Sequence, residues 1–421
     1  MSDTIVKHVT IASDLSPKDA PSLSIHVLAK NADVVLGRLC DHVGPYVREA
    51  HFVLNDTVDK SREVISSHMA AFPDAALNII EATSATHPDF YFEDTKESYE
   101  IGKPLSNEVF DGPFIEKPLL ANWAGVRNIG WASDAAWKMF LDADDLFDDI
   151  TKLPGMLQIL HDAKADLAAT RYTFGRGPGG QANSSSYRER LALNTKDIRW
   201  FGKTHESILG ANHHVLLDDC LSVTDLRDNW GEGIRVPGRC FKVLYHEARR
   251  LEWRVSARHL AYLVQESPNM LPLDWVTADL LPAYLQVAAH PEEIAWVFSM
   301  IGEMWEKAGR LGPAGIHYTK ALEVYPTAKT AWRLSRLFFA LRDWENCISA
   351  YEQGVANMAN PQLLDMGAVY EHSTKILVAQ AYNVLGKKDL ARKFIDEAVA
   401  AFPDSRPVAM LKESIYGLAD S

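Results

Sequence analysis

The residues best suited to chemistry lie at Asp142-Ala143-Asp144-Asp145, a carboxylate cluster that directly follows the apolar run Trp137-Lys138-Met139-Phe140-Leu141. Such a run reads as a buried strand, and in open α/β sheets ligands bind beyond the carboxyl ends of the strands. Side chains two apart on an extended segment both reach one hard cation when the chain turns. Mg2+ or Mn2+ takes oxygen ligands of this kind and completes its shell with substrate phosphates. Asp142 and Asp144, the only Asp-x-Asp in the chain, are therefore the candidate metal ligands. The competing reading is a solvated acidic turn capping a helix around Leu146 to Ile150, a task aspartate performs well.

Such a cluster needs a sheet to carry it. The first 250 or so residues alternate short β-rich runs with helical stretches, as at Leu23 to Leu28, Ala50 to Leu54, Lys138 to Leu141 and Ala165 to Thr170. Strand alternating with helix implies crossover connections and a mostly parallel sheet. Between about 81 and 120 the pattern lapses into an aromatic and acidic stretch containing Pro88, Pro104, Pro113 and Pro118, which reads as a functional loop or a disordered one. The glycines of Gly175 to Ser186 follow no dinucleotide fingerprint, so that stretch reads as a mobile hairpin or lid.

From about 250 onward strand signals vanish and apolar residues recur at helical spacing. A repeat can be laid out there near the ~34-residue tetratricopeptide period. One copy places Phe298, Ile301, Gly302, Trp305, Gly309, Ala314, Tyr318, Ala321 and Pro326 at the offsets of two packed helices and a terminating proline. A weaker copy has Leu334, Ser335, Phe338, Tyr351 and a displaced Pro361. A third has Val378, Ala379, Tyr382, Gly386, Ala391, Ile395, Ala398 and Pro403, after an insertion of about ten residues. A generic helical bundle is the alternative, and under either reading these residues are core. The domains expected are 1–250, α/β, and 251–421, all helical.

Bulk properties narrow the function classes. A chain of 421 residues with 47% hydrophobic and 24% charged residues is an ordinary globular protein of two or so domains. No apolar run approaches the ~18 residues of a membrane span. The N-terminus has neither the basic nor the apolar region of a secretory signal, so the expected location is cytoplasmic. Cys40, Cys220, Cys240 and Cys347 are scattered without a C-x-x-C pair and read as buried small hydrophobes. A net charge of -13 makes nucleic acid an unfavoured partner without excluding it.

The ordered set of motifs resembles the family 2 glycosyltransferases. Arg127-Asn128, a helix, and then a strand ending in Leu141-Asp142-Ala143-Asp144-Asp145 match the common stretch of that family. Ile25 to Asn31 looks like its opening strand followed by Lys-Asn. Phe52 to Ser61 is similar to its second strand, keeping Asp56-Thr57 and Asp59 but lacking the usual Gly-Ser. Gly202-Lys203-Thr204-His205-Glu206 resembles the Gly-x-x-His-Glu segment of the branch that carries tetratricopeptide repeats. The resemblance covers most of 20 to 265.

It implies a Rossmann-like GT-A fold followed by tetratricopeptide-like repeats, and a metal-dependent transfer of a sugar from a nucleotide-sugar donor, UDP-linked, with inversion. Asn31 and Asp56 would then face the nucleoside, Arg127 the diphosphate, Asp142 the ribose and metal, and Asp144 the metal. Mn2+ or Mg2+ and the arginine would stabilise the departing nucleoside diphosphate. Glu206 is the candidate base, with His205 orienting the site or contacting the diphosphate. Asp225, His246, His213 and His214 are weaker candidates for an extra ligand and stay outside the metal set. Lys242, Arg249, Arg250 and Arg254 read as a solvated basic helix face rather than phosphate contacts. The repeats are expected to bind a peptide or protein acceptor or to form a homodimer, because stacked hairpins present a concave face. A nucleic-acid or small-molecule acceptor remains open. Two rival readings are a non-catalytic scaffold on a degenerate transferase fold and a nucleotidyltransferase, which would release pyrophosphate.

Overall fold

A computed structural model describes residues 4–6, 15–105, 110–174, 185–225, 238–358, 367–403 and 405–417. The chain forms two compact units. One comprises Met1–Ile101 with Gly112–Glu247, and the other Gly102–Asp111 with Ala248–Ser421.

The first unit begins with β1 (Thr4–Val6), β2 (Leu23–Ala29), α1 (Asp33–Val43), β3 (Glu49–Asn55), α2 (Ser61–Met69) and β4 (Ala76–Ala82). It continues through β5 (Tyr91–Glu93), α3 (Lys96–Tyr99), β6 (Pro118–Leu120), α4 (Trp123–Ile129), β7 (Trp137–Asp142) and β8 (Asp145–Phe147). Then come α5 (Leu153–Asp162), β9 (Leu167–Phe174), β10 (Ser185–Leu193), β11 (Arg199–Phe201), β12 (Ser207–Leu209), β13 (His214–Asp225) and α6 (Arg239–Arg250). The main sheet has the order β1-β13-β9-β10-β7-β2-β3-β4, with β8 pairing β13.

Most pairings in the sheet are parallel, as expected, but the sheet is mixed. β2, β3, β4 and β7 run parallel to their neighbours among themselves, while β10 lies antiparallel between β7 and β9. An alternating strand such as β10 carries the same residue pattern in either direction, so its sense is not written in its sequence. β2, β3 and β7 read as apolar runs because both of their faces are covered, whereas β4 at the edge is largely exposed. Ile25, Val27, Leu39, Phe52, Trp137, Met139 and Leu157 share one core, and Val53, Leu120 and Val126 form a second.

The stretch from 81 to 120 is not irregular throughout. β5 and β6 pair as an antiparallel ribbon. Asp94 anchors it, accepting from Tyr99 Oη at 2.5 Å, Ile115 N at 2.9 Å and Lys242 Nζ at 2.6 Å. Lys242 therefore belongs to a fully buried ion pair and not to a solvated helix face. No helix spans 146 to 150 either: β8 occupies 145–147, and a short 3-10 turn at Ile150–Lys152 leads into α5. Residues 175–184 of the expected lid, and Pro361, lie outside the described residues.

The second unit is helical. After α7 (Ala257–Glu266), α8 (Leu273–Trp275) and α9 (Leu281–Val287), three antiparallel hairpins follow: α10 (Pro291–Lys307) with α11 (Leu311–Val324), α12 (Ala328–Ala340) with α13 (Trp344–Ala356), and α14 (Gly367–Val384) with α15 (Lys388–Ala401). A last helix, α16 (Arg406–Tyr416), packs on α15. Small residues set the hairpin spacing. A Cβ on Gly302 would stand 2.6 Å from the Tyr318 ring, and one on Gly354 would stand 2.2 Å from Trp332 Nε1. In the middle hairpin Ser335 Oγ donates to the Cys347 carbonyl at 2.7 Å, so a polar pair replaces the usual small apolar contact. No helix among the described residues is long and apolar enough to cross a membrane.

Candidate functional site

Strand connectivity marks where open α/β sheets bind ligands. From β2 the chain winds outward through β3 and β4, then returns to the other side of β2 as β7. Asp142 stands beside Leu28, and Leu28 beside Val53. The C-terminal ends of β3, β2 and β7 are thus level, with the reversal of winding between β2 and β7, the usual ligand crevice of open α/β sheets.

Both loops that leave β2 and β3 turn sharply. Asn31 has φ of 48° and Asp56 φ of 44°, left-handed values that Asn and Asp tolerate better than most residues. Asn31 Oδ1 accepts from Val58 N at 2.9 Å and ties the two loops together. Asp59 accepts from Asp33 N and Ser61 N, each at 3.0 Å, capping the starts of α1 and α2. Asp56 Oδ1 accepts from Ser84 N at 3.3 Å. Beside it Tyr91 Oη donates to Asn55 Oδ1 at 2.6 Å, and burial together with the Asp56 carboxylate pushes the phenol up. Thr57 Oγ1 is buried there without a hydrogen-bond partner among the described residues.

Arg127 projects from α4 toward the end of β7. Its Nε donates to Glu206 Oε1, its Nη2 stands 3.6 Å from Asp142 Oδ1, and its guanidinium lies 3.8 Å over the Phe140 ring. Asn128 does a different job from the neighbour it shares a motif with. Its side chain donates to the Trp200 carbonyl at 2.9 Å and accepts from Trp200 N at 3.0 Å, docking the β11–β12 hairpin on α4. The turn of that hairpin carries Gly202 (φ 99°) and His205 (φ 51°), and it delivers Glu206, 8% exposed, to Arg127.

A second guanidinium approaches from the opposite side. Arg190 on β10 is 1% exposed; its Nη1 binds Asp145 Oδ2 at 2.9 Å, and its Nη2 lies 3.9 Å from Asp142 Oδ2. Tyr172 Oη donates to Asp145 Oδ1 at 2.9 Å, and Asp142 N donates to Asp145 Oδ2 at 2.8 Å. Burial pushes the Asp145 carboxyl up to about 6, against the pull of Arg190. Arg127 Nη1 and Arg190 Nε and Nη2 are buried without hydrogen-bond partners among the described residues, so the two cations hold unused donors around Asp142. Sequence reasoning missed Arg190, Tyr172 and the role of Asp145.

The candidates thus fall into groups. Asn31, Asp56, Asp142 and Asp144 lie at or just beyond the ends of adjacent strands, and Arg127 links Asp142 to Glu206. Asp142 and Asp144 both act electrostatically on Asp145. No trio of His, Cys, Asp or Glu ligand atoms that includes either aspartate falls within 4.8 Å among the described residues. Two carboxylates this close in the chain suit a divalent ion whose remaining ligands come from a phosphate. The histidines outside this group have other partners. His213 Nδ1 meets the Lys164 carbonyl at 3.1 Å, His214 Nε2 the Ala211 carbonyl at 3.3 Å, and His246 stacks on Phe92. Asp225 ends β13, and its side chain lies outside the described residues. Cys40 and Cys347 are buried, whereas Cys240 is half-buried.

No known family model matches the chain, and no curated protein matches it. Solved structures resemble its C-terminal helical part. They include the Arabidopsis OM64 TPR domain, 12% identical over 30% of this chain and 97% of that one, with a TM-score of 0.26. BtubC from P. vanneervenii is 16% identical over 44% of this chain and 85% of that one, with a TM-score of 0.34. The first TPR of Spaghetti (RPAP3), bound to an HSP90 peptide, is 18% identical over 31% of this chain and 96% of that one, with a TM-score of 0.27.

Proposed function

We propose that the α/β unit is a GT-A type glycosyltransferase that moves a sugar from a nucleoside diphosphate donor, UDP-linked, to a nucleophile. The observation that carries this reading is Arg127, half-buried, facing Asp142 where the sheet reverses its winding, with a buried Nη1 that has no partner among the described residues. Asn31 and Asp56 border the nucleoside end, and the diphosphate lies against Arg127.

Charge supports a metal. Arg127 and Arg190 face Asp142, Asp145 and Glu206, and Asp144 acts on Asp145 beside them, so the carboxylates outnumber the two guanidiniums. A diphosphate enters such a cluster favourably only with a cation, and Asp142 and Asp144 are the groups to hold it. The ion, when bound, offsets the charge that grows on the departing diphosphate. Glu206 serves as the base. A diphosphate that draws the Arg127 guanidinium away frees the Glu206 carboxylate as the donor arrives. The helical hairpins, by presenting an extended face, offer a peptide acceptor its docking surface.

The test is calorimetry of UDP with and without Mn2+, followed by donor turnover with several nucleotide sugars. Wild-type protein should bind UDP in a metal-dependent way, and Asp144→Asn should lose that dependence while keeping its melting temperature. Nucleotide binding that ignores the metal removes the metal assignment. No nucleotide binding at all leaves the scaffold reading, and release of pyrophosphate makes the protein a nucleotidyltransferase.

A further inference from the structure

The residue that the reading above leaves without a role is Arg190. It sits where the pairing of β10 with β9 shifts register: Glu189 faces Ala169, Leu191 faces Ala168, and Arg190 between them has no partner across the ladder. A bulge of this kind re-aims a side chain and is over-represented next to active sites. Here it turns an arginine into the interior, where Nη1 donates to the Phe140 carbonyl at 3.2 Å as well as to Asp145. The guanidinium rests 4.7 Å from the Tyr172 ring and 5.1 Å from the Phe140 ring. Among the described residues its Nε and Nη2 make no hydrogen bond, and Nη2 stands 3.9 Å from Asp142 Oδ2.

An arginine placed only to balance a buried aspartate would commit its fork to that aspartate. This one commits one nitrogen to Asp145 and keeps the other on Asp142. Asp145 in turn is saturated by Tyr172, Arg190 and the Asp142 backbone. The four groups form a frame in which the strand end at Asp142 is fixed through its N–H and its carboxylate is held from behind.

We propose that Arg190 is a positioning residue that fixes the Asp142 carboxylate in the orientation a nucleotide-bound divalent cation requires; the proposal rests on the transferase reading. It acts through Asp142 and not on the donor. Removing it loosens the Oδ2 side of the Asp142 carboxylate, while Arg127 still faces Oδ1, and metal and nucleotide lose their coupling.

The informative variant is Arg190→Met with Asp145→Asn, which removes one charge of each sign and leaves the net charge of the cluster unchanged. A change in metal coupling then reports geometry rather than overall potential. UDP titrations with and without Mn2+ should show metal-free binding within about twofold of wild type. The enhancement produced by Mn2+ should fall at least about tenfold, a difference of ~1.4 kcal/mol. Arg190→Lys, which retains the charge but lacks the fork, should lose the enhancement as well, and it supplies the answer if the double variant does not fold. A folded variant of either kind with the full Mn2+ enhancement overturns the proposal. Wild-type protein that binds UDP equally with and without Mn2+ removes the metal assignment, and this inference with it, whereas wild-type protein that binds no UDP overturns the transferase reading itself.

Discussion

Arg127→Met tests the link between Glu206 and the strand end. The arginine is 11% exposed and Glu206 8%, so their pair belongs with buried ion pairs. Removing one partner of such a pair costs about 3–5 kcal/mol, because a carboxylate is left in the interior without its cation. The contact with Asp142 adds little. That group is 30% exposed and the separation is 3.6 Å, which places it with partly solvated pairs worth at most ~1 kcal/mol. Methionine keeps much of the packing on Phe140 but loses the charge over its ring, about 0.5–2 kcal/mol. Destabilisation of roughly 3.5–8 kcal/mol is therefore expected, a large share of the ~5–15 kcal/mol that holds a domain together.

The double variant Arg127→Met/Glu206→Gln removes both charges and should recover most of that loss, giving a coupling of at least about 2 kcal/mol in the cycle. Hydrogen exchange of the β7 and β11 amides, read by mass spectrometry, measures the local free energy without mixing in the helical unit. Additive single-variant effects, within ~0.5 kcal/mol, would refute the reasoning, because the two side chains would then be independent. The binding side of the same cycle is equally direct. Losing hydrogen bonds from a charged donor to phosphate costs about 1.5–3 kcal/mol, so UDP affinity should fall roughly 10–100-fold in Arg127→Met and stay there in the double variant.

Lys138 offers a pH test. It is 2% exposed, and burial, helped by repulsion from Arg199, draws its ammonium down to about 8. An unfolded lysine titrates near ~10.4, so between about pH 8 and 10.4 the unfolded chain binds more protons and stability rises with pH; below pH 8 the full cost of the buried charge is present. Lys138→Met should be more stable at pH 7 by up to about 3 kcal/mol and should lack that rise, whereas parallel profiles from pH 7 to 10.4 would contradict the assignment. In the helical unit, Gly354→Ala meets Trp332 at 2.2 Å and should lower the melting temperature through an overpacking cost of about 1–3 kcal/mol. Gly312→Ala, with nothing within 4 Å, should hold or raise it, and equal melting curves for the two would argue against the hairpin packing.

What the sequence disclosed and what it hid follow from the range of the forces involved. The apolar run into Asp142 is legible because a strand covered on both faces writes its burial into consecutive residues, and the repeat glycines because helix spacing recurs at a fixed period. Arg190 is not legible. In Tyr187-Arg188-Glu189-Arg190-Leu191 it looks like the exposed member of an alternating strand, and only the register shift against β9 turns it inward. No glycine or proline marks that bulge. Lys242 misleads for a related reason: a lysine among basic residues is normally solvated, and the carboxylate that allows its burial, Asp94, is 148 positions away. Asn128 shows the converse, a motif residue whose role in the fold is structural, since it holds the Trp200 backbone while Arg127 beside it faces the carboxylates. Motif residues thus locate the strand ends, but the partners that set their charge and aim arrive from distant strands, and those partners decide whether Asp142 can share a cation with a phosphate.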